Sequence, residues 1–190
     1  IMVGRSGGQV TVHNATGSVV WAATAFSDGG EVRSLAVEDI DRDGQLEIIV
    51  GKAASGATKQ INVLRANGTV KTGWPARRDG EAGYGWGMYN QNVAVADLIG
   101  DGRKEIIGPT DTHYITALDS DGNQLPANAM YGSGKVWSQV GVHVQHSVDL
   151  RGYANCGSEH RPNFANSPPT IADLNGDGAN EILVVGNVYN

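Results

Sequence analysis

Three copies of one acidic stretch constrain this chain more than any other feature. They read DIDRDGQLEIIVG at 39–51, DLIGDGRKEIIG at 97–108 and DLNGDGANEILVVG at 173–186. A short apolar run precedes each copy (SLAVE, VAVA, PTIA), and an apolar run ending in glycine closes it. A segment that recurs together with its flanks predicts one supersecondary unit used repeatedly. A second repeated unit follows: VTVHNATGSVVW at 10–21, INVLRANGTV at 61–70 and ITALDSDGNQL at 115–125. Alternating apolar residues around an Asn/Asp–Gly turn are a hairpin signal. Gly17, Gly68 and Gly122 hold matching places, where the turn needs φ > 0.

One unit therefore reads strand A, acidic loop, strand B, connection, strand C, glycine turn, strand D. The expected fold is all-β, built from four-stranded antiparallel meanders. Asp39, Asp97 and Asp173 stand 58 and 76 residues apart, which fits the blade of a β-propeller with insertions and exceeds most solenoid repeats. The units fall at approximately 1–32, 33–90, 91–168 with a long insertion at 126–168, and an incomplete 169–190. IMVG at 1–4 matches strand B, and 190 lies just past another strand B. About three blade equivalents are fewer than the four to eight of a closed ring. The expectation is a partial propeller, 1–190, completed by the rest of a longer chain or by other copies.

Charge narrows the partners. The net charge of -6 argues against nucleic acid and against an anionic membrane surface. No apolar run approaches the roughly 20 residues of a membrane-spanning helix. Cys156 is the single cysteine, so no disulfide can form within the chain. The 27 glycines suit a fold with many tight turns.

The acidic loops suggest a use for that charge. Asp39, Asp41 and Asp43 occupy positions 1, 3 and 5, Gly44 permits a sharp turn, and Glu47 stands at position 9. Alternate carboxylates converge when the backbone curls, and they repel unless a cation joins them. Ca²⁺ accepts such oxygen-rich, flexible sets, and the Gln45 carbonyl at position 7 adds a further ligand. Softer metals would want His or Cys, which these loops lack. An EF-hand needs an acid at position 12 and flanking helices. Position 12 here is Val50, Gly108 and Val184, the acid is at position 9 (Glu47, Glu105, Glu181), and the flanks read as strands.

SLAVEDIDRDGQLEIIVG and PTIADLNGDGANEILVVG resemble FG-GAP repeats, the calcium-loop blades of integrin α-chain propellers and of related bacterial VCBS-type propellers. The resemblance spans nearly the whole chain. It implies Ca²⁺ held by Asp39, Asp41, Asp43, Glu47 and the Gln45 carbonyl. In the last copy it implies Asp173, Asn175, Asp177, Glu181 and the Ala179 carbonyl. The middle copy departs from the pattern at position 3, which is Ile99, leaving Asp97, Asp101, Glu105 and the Arg103 carbonyl, one ligand short. The literal FG and GAP words are degenerate here. The metal's expected task is structural, pinning the A–B turn.

Other chemistry is sparse. His143 and His146 have odd spacing on a valine-rich, strand-like stretch, which sends them to opposite faces. His160–Arg161 reads as a loop salt bridge, and His13 and His113 as structural. GRSGG at 4–8 is a glycine-rich loop that lacks a P-loop lysine. Asn14 and Asn67 lie in glycosylation sequons.

The leading functional reading is a non-catalytic, calcium-stabilised module of a secreted or cell-surface protein that binds a glycan or an extracellular protein. One alternative is the scaffold of a calcium-dependent, lyase-like polysaccharide-degrading enzyme. Another is an assembly subunit of an extracellular polymer. In a meander, the A–B and C–D turns share one end. The variable connections 75–91 and 126–168 then share the other, where functional loops gather. They carry Tyr84, Trp86, Tyr89, Tyr131, Trp137 and Tyr153. Trp86, Trp137 and Tyr153 are the candidate ligand-binding residues, since aromatic faces suit sugars and protein hot spots.

Overall fold

The computed structural model describes residues 1–53, 59–75, 88, 92–110, 113–142, 162–164 and 167–186. Among them the chain is all-β. The strands are β1 Met2–Gly4, β2 Gln9–His13, β3 Val19–Thr24, β4 Val32–Glu38, β5 Glu47–Lys52, β6 Ile61–Arg65, β7 Ala94–Ala96, β8 Glu105–Pro109, β9 Ile115–Leu118, β10 Thr170–Ala172 and β11 Glu181–Leu183. Among the described residues the helical pieces are three-residue 3₁₀ turns at Ser6–Gly8, Ala129–Tyr131 and Trp137–Gln139. No helix among the described residues is long and apolar enough to cross a membrane.

The strands pair into four antiparallel sheets in chain order: β1-β2-β3, β4-β5-β6, β7-β8-β9 and β10-β11. The acidic loops join β4 to β5, β7 to β8 and β10 to β11, where sequence placed an A–B turn. Glu47 pairs with Glu38 on one side and with Arg65, the residue leading into the Asn67–Gly68 turn, on the other. Acidic loop and glycine turn therefore share one end of the sheet.

The expected fourth strand is reduced in two sheets. Only single bridges, Leu64 to Val70 and Leu118 to Gln124, mark strand D beside β6 and β9. The chain itself explains the truncation of the third sheet. Leu125 donates its N–H to Ala117, but the next residue, Pro126, has none to give and instead faces Val136 in a separate bridge. In the second sheet Lys71 donates to Val63 O. The chain then turns through Gly73, whose φ of 93° is open to glycine. The second and third sheets are therefore three-stranded rather than four-stranded. The first sheet keeps a full strand D as β3.

Strand alternation explains why the sheets stack. In β5, Ile48 and Val50 join a core with Val10, Ala25 and Phe26 of the first unit, while Ile49 joins one with Ile106 and Leu118 of the third. In β8, Ile106 packs back against that second core, while Ile107 meets Phe164, Ile171 and Ile182. Successive side chains on a strand point to opposite faces, so a strand apolar at every position needs a neighbour on both sides. Adjacent sheets also touch through their leading strands: β1 with β4, β4 with β7, and β7 with β10. Gly4 marks one such approach, because a Cβ there would lie 2.4 Å from Val32 Cγ1.

Two tryptophans tie the first sheet to the second and the second to the third. Trp21 Nε1 donates to Ala66 O at 2.9 Å, and Trp74 Nε1 donates to Ser120 O at 3.2 Å. Ala66 and Ser120 hold equivalent places, two residues before the turn glycines Gly68 and Gly122. The same cross-sheet bond is thus made twice, always onto the glycine-turn end.

Candidate metal centre

The three acidic loops close with the same backbone bonds. The Asp at position 1 accepts the N–H of the glycine at position 6: Gly44 to Asp39 at 3.0 Å, Gly102 to Asp97 at 2.8 Å, Gly178 to Asp173 at 2.8 Å. The Asp at position 5 accepts the N–H at position 7 (Gln45, Arg103, Ala179), each at 2.8 Å. The Glu at position 9 accepts the N–H at position 2 from Ile40, Leu98 and Leu174, at 3.2, 2.7 and 2.8 Å. Position 6 is left-handed each time, with φ of 84°, 85° and 89°, which is why glycine recurs there. Position 4 is left-handed too, as Arg42, Gly100 and Gly176. The acids thus shape the loop before any ligand is considered.

The loops differ in what remains. In the first, carboxylate oxygens of Asp39, Asp41 and Asp43 all lie within 4.8 Å of one another. Asp39 Oδ1 is buried and has no hydrogen-bond partner. An orphaned buried carboxylate oxygen is costly unless a donor or cation meets it. In the other two loops the N–H at position 4 reaches that second oxygen: Gly100 to Asp97 Oδ1 at 2.7 Å and Gly176 to Asp173 Oδ1 at 2.6 Å. The residues of the first loop therefore fit a hard cation. They converge, they supply oxygen alone, and one oxygen is left over.

Electrostatics follow from burial. Glu47 is 2% exposed and Glu105 1%. Burial raises both carboxyls above their ordinary value; the N–H donors from position 2 oppose the rise, and neighbouring aspartates add to it. Burial also pushes Asp41 up, but its ion pair with Lys71 and the N–H of Asp43 outweigh that and leave it lowered. Asp173 is lowered mainly by the N–H of Gly178.

In the middle loop Ile99 turns outward, 61% exposed. It lines a cleft of about 680 Å³ together with Leu125, Trp137 and Asn180. In the last loop, Asn175 at position 3 donates Nδ2 to Asp177 Oδ2 at 3.0 Å and to Glu181 Oε1 at 3.4 Å. Turned about its Cβ–Cγ bond, the same amide would offer its oxygen inward.

Sequence reasoning missed several polar groups around the loops. Lys71 pairs with Asp41 across thirty residues of sequence. Arg103 pairs with Asp121 at 3.0 Å, joining the middle loop to its glycine turn. Asn180 Nδ2 donates to Asp97 O at 2.8 Å, linking the last loop to the middle one. One signal for Lys71 was available. It stands three residues after its turn glycine, where the other hairpins carry Val20 and Leu125.

Among the ligand-face candidates, Trp137 is half-buried against the core of the third and fourth sheets, and the cleft it lines runs to Leu98, Ile99 and Asn180 of the acidic loops, so it is not confined to the end opposite them. Trp86 and Tyr153 lie outside the described residues, as do His143, His146, Cys156, His160 and Arg161. Asn14 and Asn67 use their Oδ1 atoms to accept the N–H and hydroxyl of the threonine two residues on, which ties down their turns. Asp119 accepts the Asp121 N–H in the same way. The chain matches no protein-family model and has no significant match among curated proteins.

Proposed function

We propose that this chain is part of a calcium-stabilised β-propeller of the FG-GAP/VCBS type, serving as a non-catalytic binding module of a secreted or cell-surface protein. The observation that carries the calcium reading is the first loop: three converging carboxylates, with Asp39 Oδ1 buried and unpartnered. A divalent cation there would engage Asp39, Asp41, Asp43 and Glu47, with the Gln45 carbonyl. The last loop, with Asp173, Asn175, Asp177, Glu181 and the Ala179 carbonyl, is the second site. The middle loop, with Ile99 in place of an oxygen ligand, binds weakly or not at all. The ion's contribution is cohesion, because it cancels the mutual repulsion of acids that the fold forces together.

Support for the propeller reading is the stacking of successive sheets through shared cores, with their leading strands in contact. The remaining blades would come from the rest of a longer chain or from other copies. For the partner, we propose a glycan or an extracellular protein that uses Trp137, Trp86 and Tyr153. The support is the apolar cleft beside Trp137, flanked by Leu125, Val142 and Ile182. Trp137→Ala should weaken capture on a glycan array or by a protein partner while leaving calcium affinity intact.

The calcium reading is tested by calorimetric titration of Ca²⁺ into the chain and into an Asp43→Ala, Asp177→Ala double variant. The expected result is binding in the first and its loss in the second. Equal affinity in both, or a melting temperature indifferent to chelator, overturns the reading.

A further inference from the structure

Lys71 is an anomaly among the repeats. It is buried at 7% exposure, and its ammonium reaches Asp41 Oδ2 of the first acidic loop. Its backbone place is fixed by two bonds, its own N–H to Val63 O and the Trp74 N–H to its carbonyl. The matching residue of the next unit is Leu125, which makes the same backbone bond to Ala117 O. Leu125 shares a cleft with Ile99, and Ile99 is the position-3 residue of that unit's loop. The two units thus fill the same pair of places differently. One uses an Asp–Lys ion pair, the other two apolar side chains.

The pair in the first unit has a consequence for metal. Asp41 is the position-3 carboxylate, the one that separates a full ligand set from the depleted set of the middle loop. A buried ammonium already neutralises it. A lysine is a compact point charge on a flexible stem, so it can pair with a carboxylate and be withdrawn from it. Asp39 Oδ1 has no such partner. The loop therefore holds one neutralised carboxylate beside one uncompensated oxygen.

We infer that Lys71 is a built-in counter-cation of loop 39–47, which a divalent cation must displace from Asp41 in order to bind. The inference rests on the calcium reading above and sets how strongly that one site responds. It makes the first loop weaker than its carboxylate count implies, and weaker than an otherwise equal loop without a lysine. It also keeps the metal-free loop folded, because the ammonium offsets the repulsion among Asp41, Asp43 and Glu47. Loop 173–181 has no buried lysine among the described residues around it and should bind without this competition.

The test is calcium titration of Lys71→Met, Lys71→Gln and Lys71→Arg, with Lys59→Met as a control. Lys59 is exposed, so that control removes one positive charge at the surface, away from the acidic loops. Each is made in an Asp177→Ala background so that the first loop is read alone. Lys71→Met and Lys71→Gln should bind Ca²⁺ about tenfold more tightly, the scale of removing one adjacent unit charge. Lys71→Arg and Lys59→Met should stay within about twofold of the parent, since the first keeps the local charge and the second leaves it untouched. In the parent itself, the ¹⁵N resonance of Lys71 Nζ should shift as calcium saturates the loop, a readout that needs no substitution at 71. Equal affinity in Lys71→Met, Lys71→Gln and the parent overturns the inference, as does an Nζ resonance that ignores bound calcium. Absence of calcium binding in the parent and in the natural chain alike would instead remove the calcium reading itself, and the inference with it.

Discussion

Replacing Glu47 by glutamine should change stability in opposite directions with and without calcium. Glu47 opens β5 at 2% exposure, and its Oε2 accepts the Ile40 N–H at 3.2 Å. Burial raises its pKa, that bond lowers it, and the charges of Asp41 and Asp43 raise it further. The amide keeps the size and can still accept from Ile40, but it removes the buried charge. In chelator the variant should therefore gain roughly 1–2 kcal/mol, the scale of relieving one poorly compensated buried group. For a chain of this length that is an increase of about 2–8 °C in Tm. The sign with pH follows from the raised folded pKa. The gain is full above that value, fades as the wild-type carboxyl takes up its proton, and is gone below about 4.5, the ordinary value. Calcium reverses the order. A site filled at a hundred times its Kd adds about 2.7 kcal/mol, or about 5–11 °C. Glu47→Gln forfeits that increment at the first loop and keeps it at the last. Differential scanning calorimetry in chelator and in calcium reads both effects. A lower Tm for the variant in chelator, or an undiminished calcium shift, would refute the reasoning.

Three further outcomes follow from the packing. Trp21→Phe should lose about 1 kcal/mol in urea unfolding, because the Ala66 carbonyl loses its cross-sheet donor while most apolar area stays buried. Ile49→Ala, at the fully buried centre of β5, should lose about 2–5 kcal/mol and disrupt the contact between the second and third sheets; a loss under 1 kcal/mol would contradict the shared core. Asp28→Asn should lose about 1 kcal/mol at neutral pH, since Lys52 is buried while Asp28 is largely exposed and its attraction screened. Pairing with Lys52, followed by the Gly30 N–H, lowers the Asp28 pKa, so this difference holds above 3.8 and vanishes as pH falls through the lowered folded value. A gap between variant and wild type that persists under strong acid would exclude that pair as its cause.

Much of the frame was legible because it is written locally. The glycine turns, the A–B loops and the apolar runs of β5 and β8 all declare themselves within a dozen residues. The convergence of Asp39, Asp41 and Asp43 was legible for the same reason, because alternate carboxylates and a position-6 glycine are neighbours in sequence. What escaped is written across distance. Trp21 meets Ala66 and Trp74 meets Ser120 at separations of 45 and 46 residues, and no periodicity announces either bond. Lys71 meets Asp41 across thirty residues of sequence, and only its charge at an otherwise apolar strand-D place hints at a partner. The shortened fourth strand turns on Pro126, whose missing N–H was visible in the sequence, and on the bend at Gly73, which was not.

The central claim concerns where calcium sits, and crystals of the chain grown with Ca²⁺ would locate it directly by anomalous scattering. The account predicts peaks enclosed by Asp39, Asp41, Asp43 and Glu47 and by Asp173, Asn175, Asp177 and Glu181, with a weak peak or none beside Ile99, and with the Lys71 ammonium withdrawn from Asp41. Loops 39–47 and 173–181 empty at saturating calcium, with Asp39 Oδ1 still unpartnered and Lys71 still seated on Asp41, would contradict it.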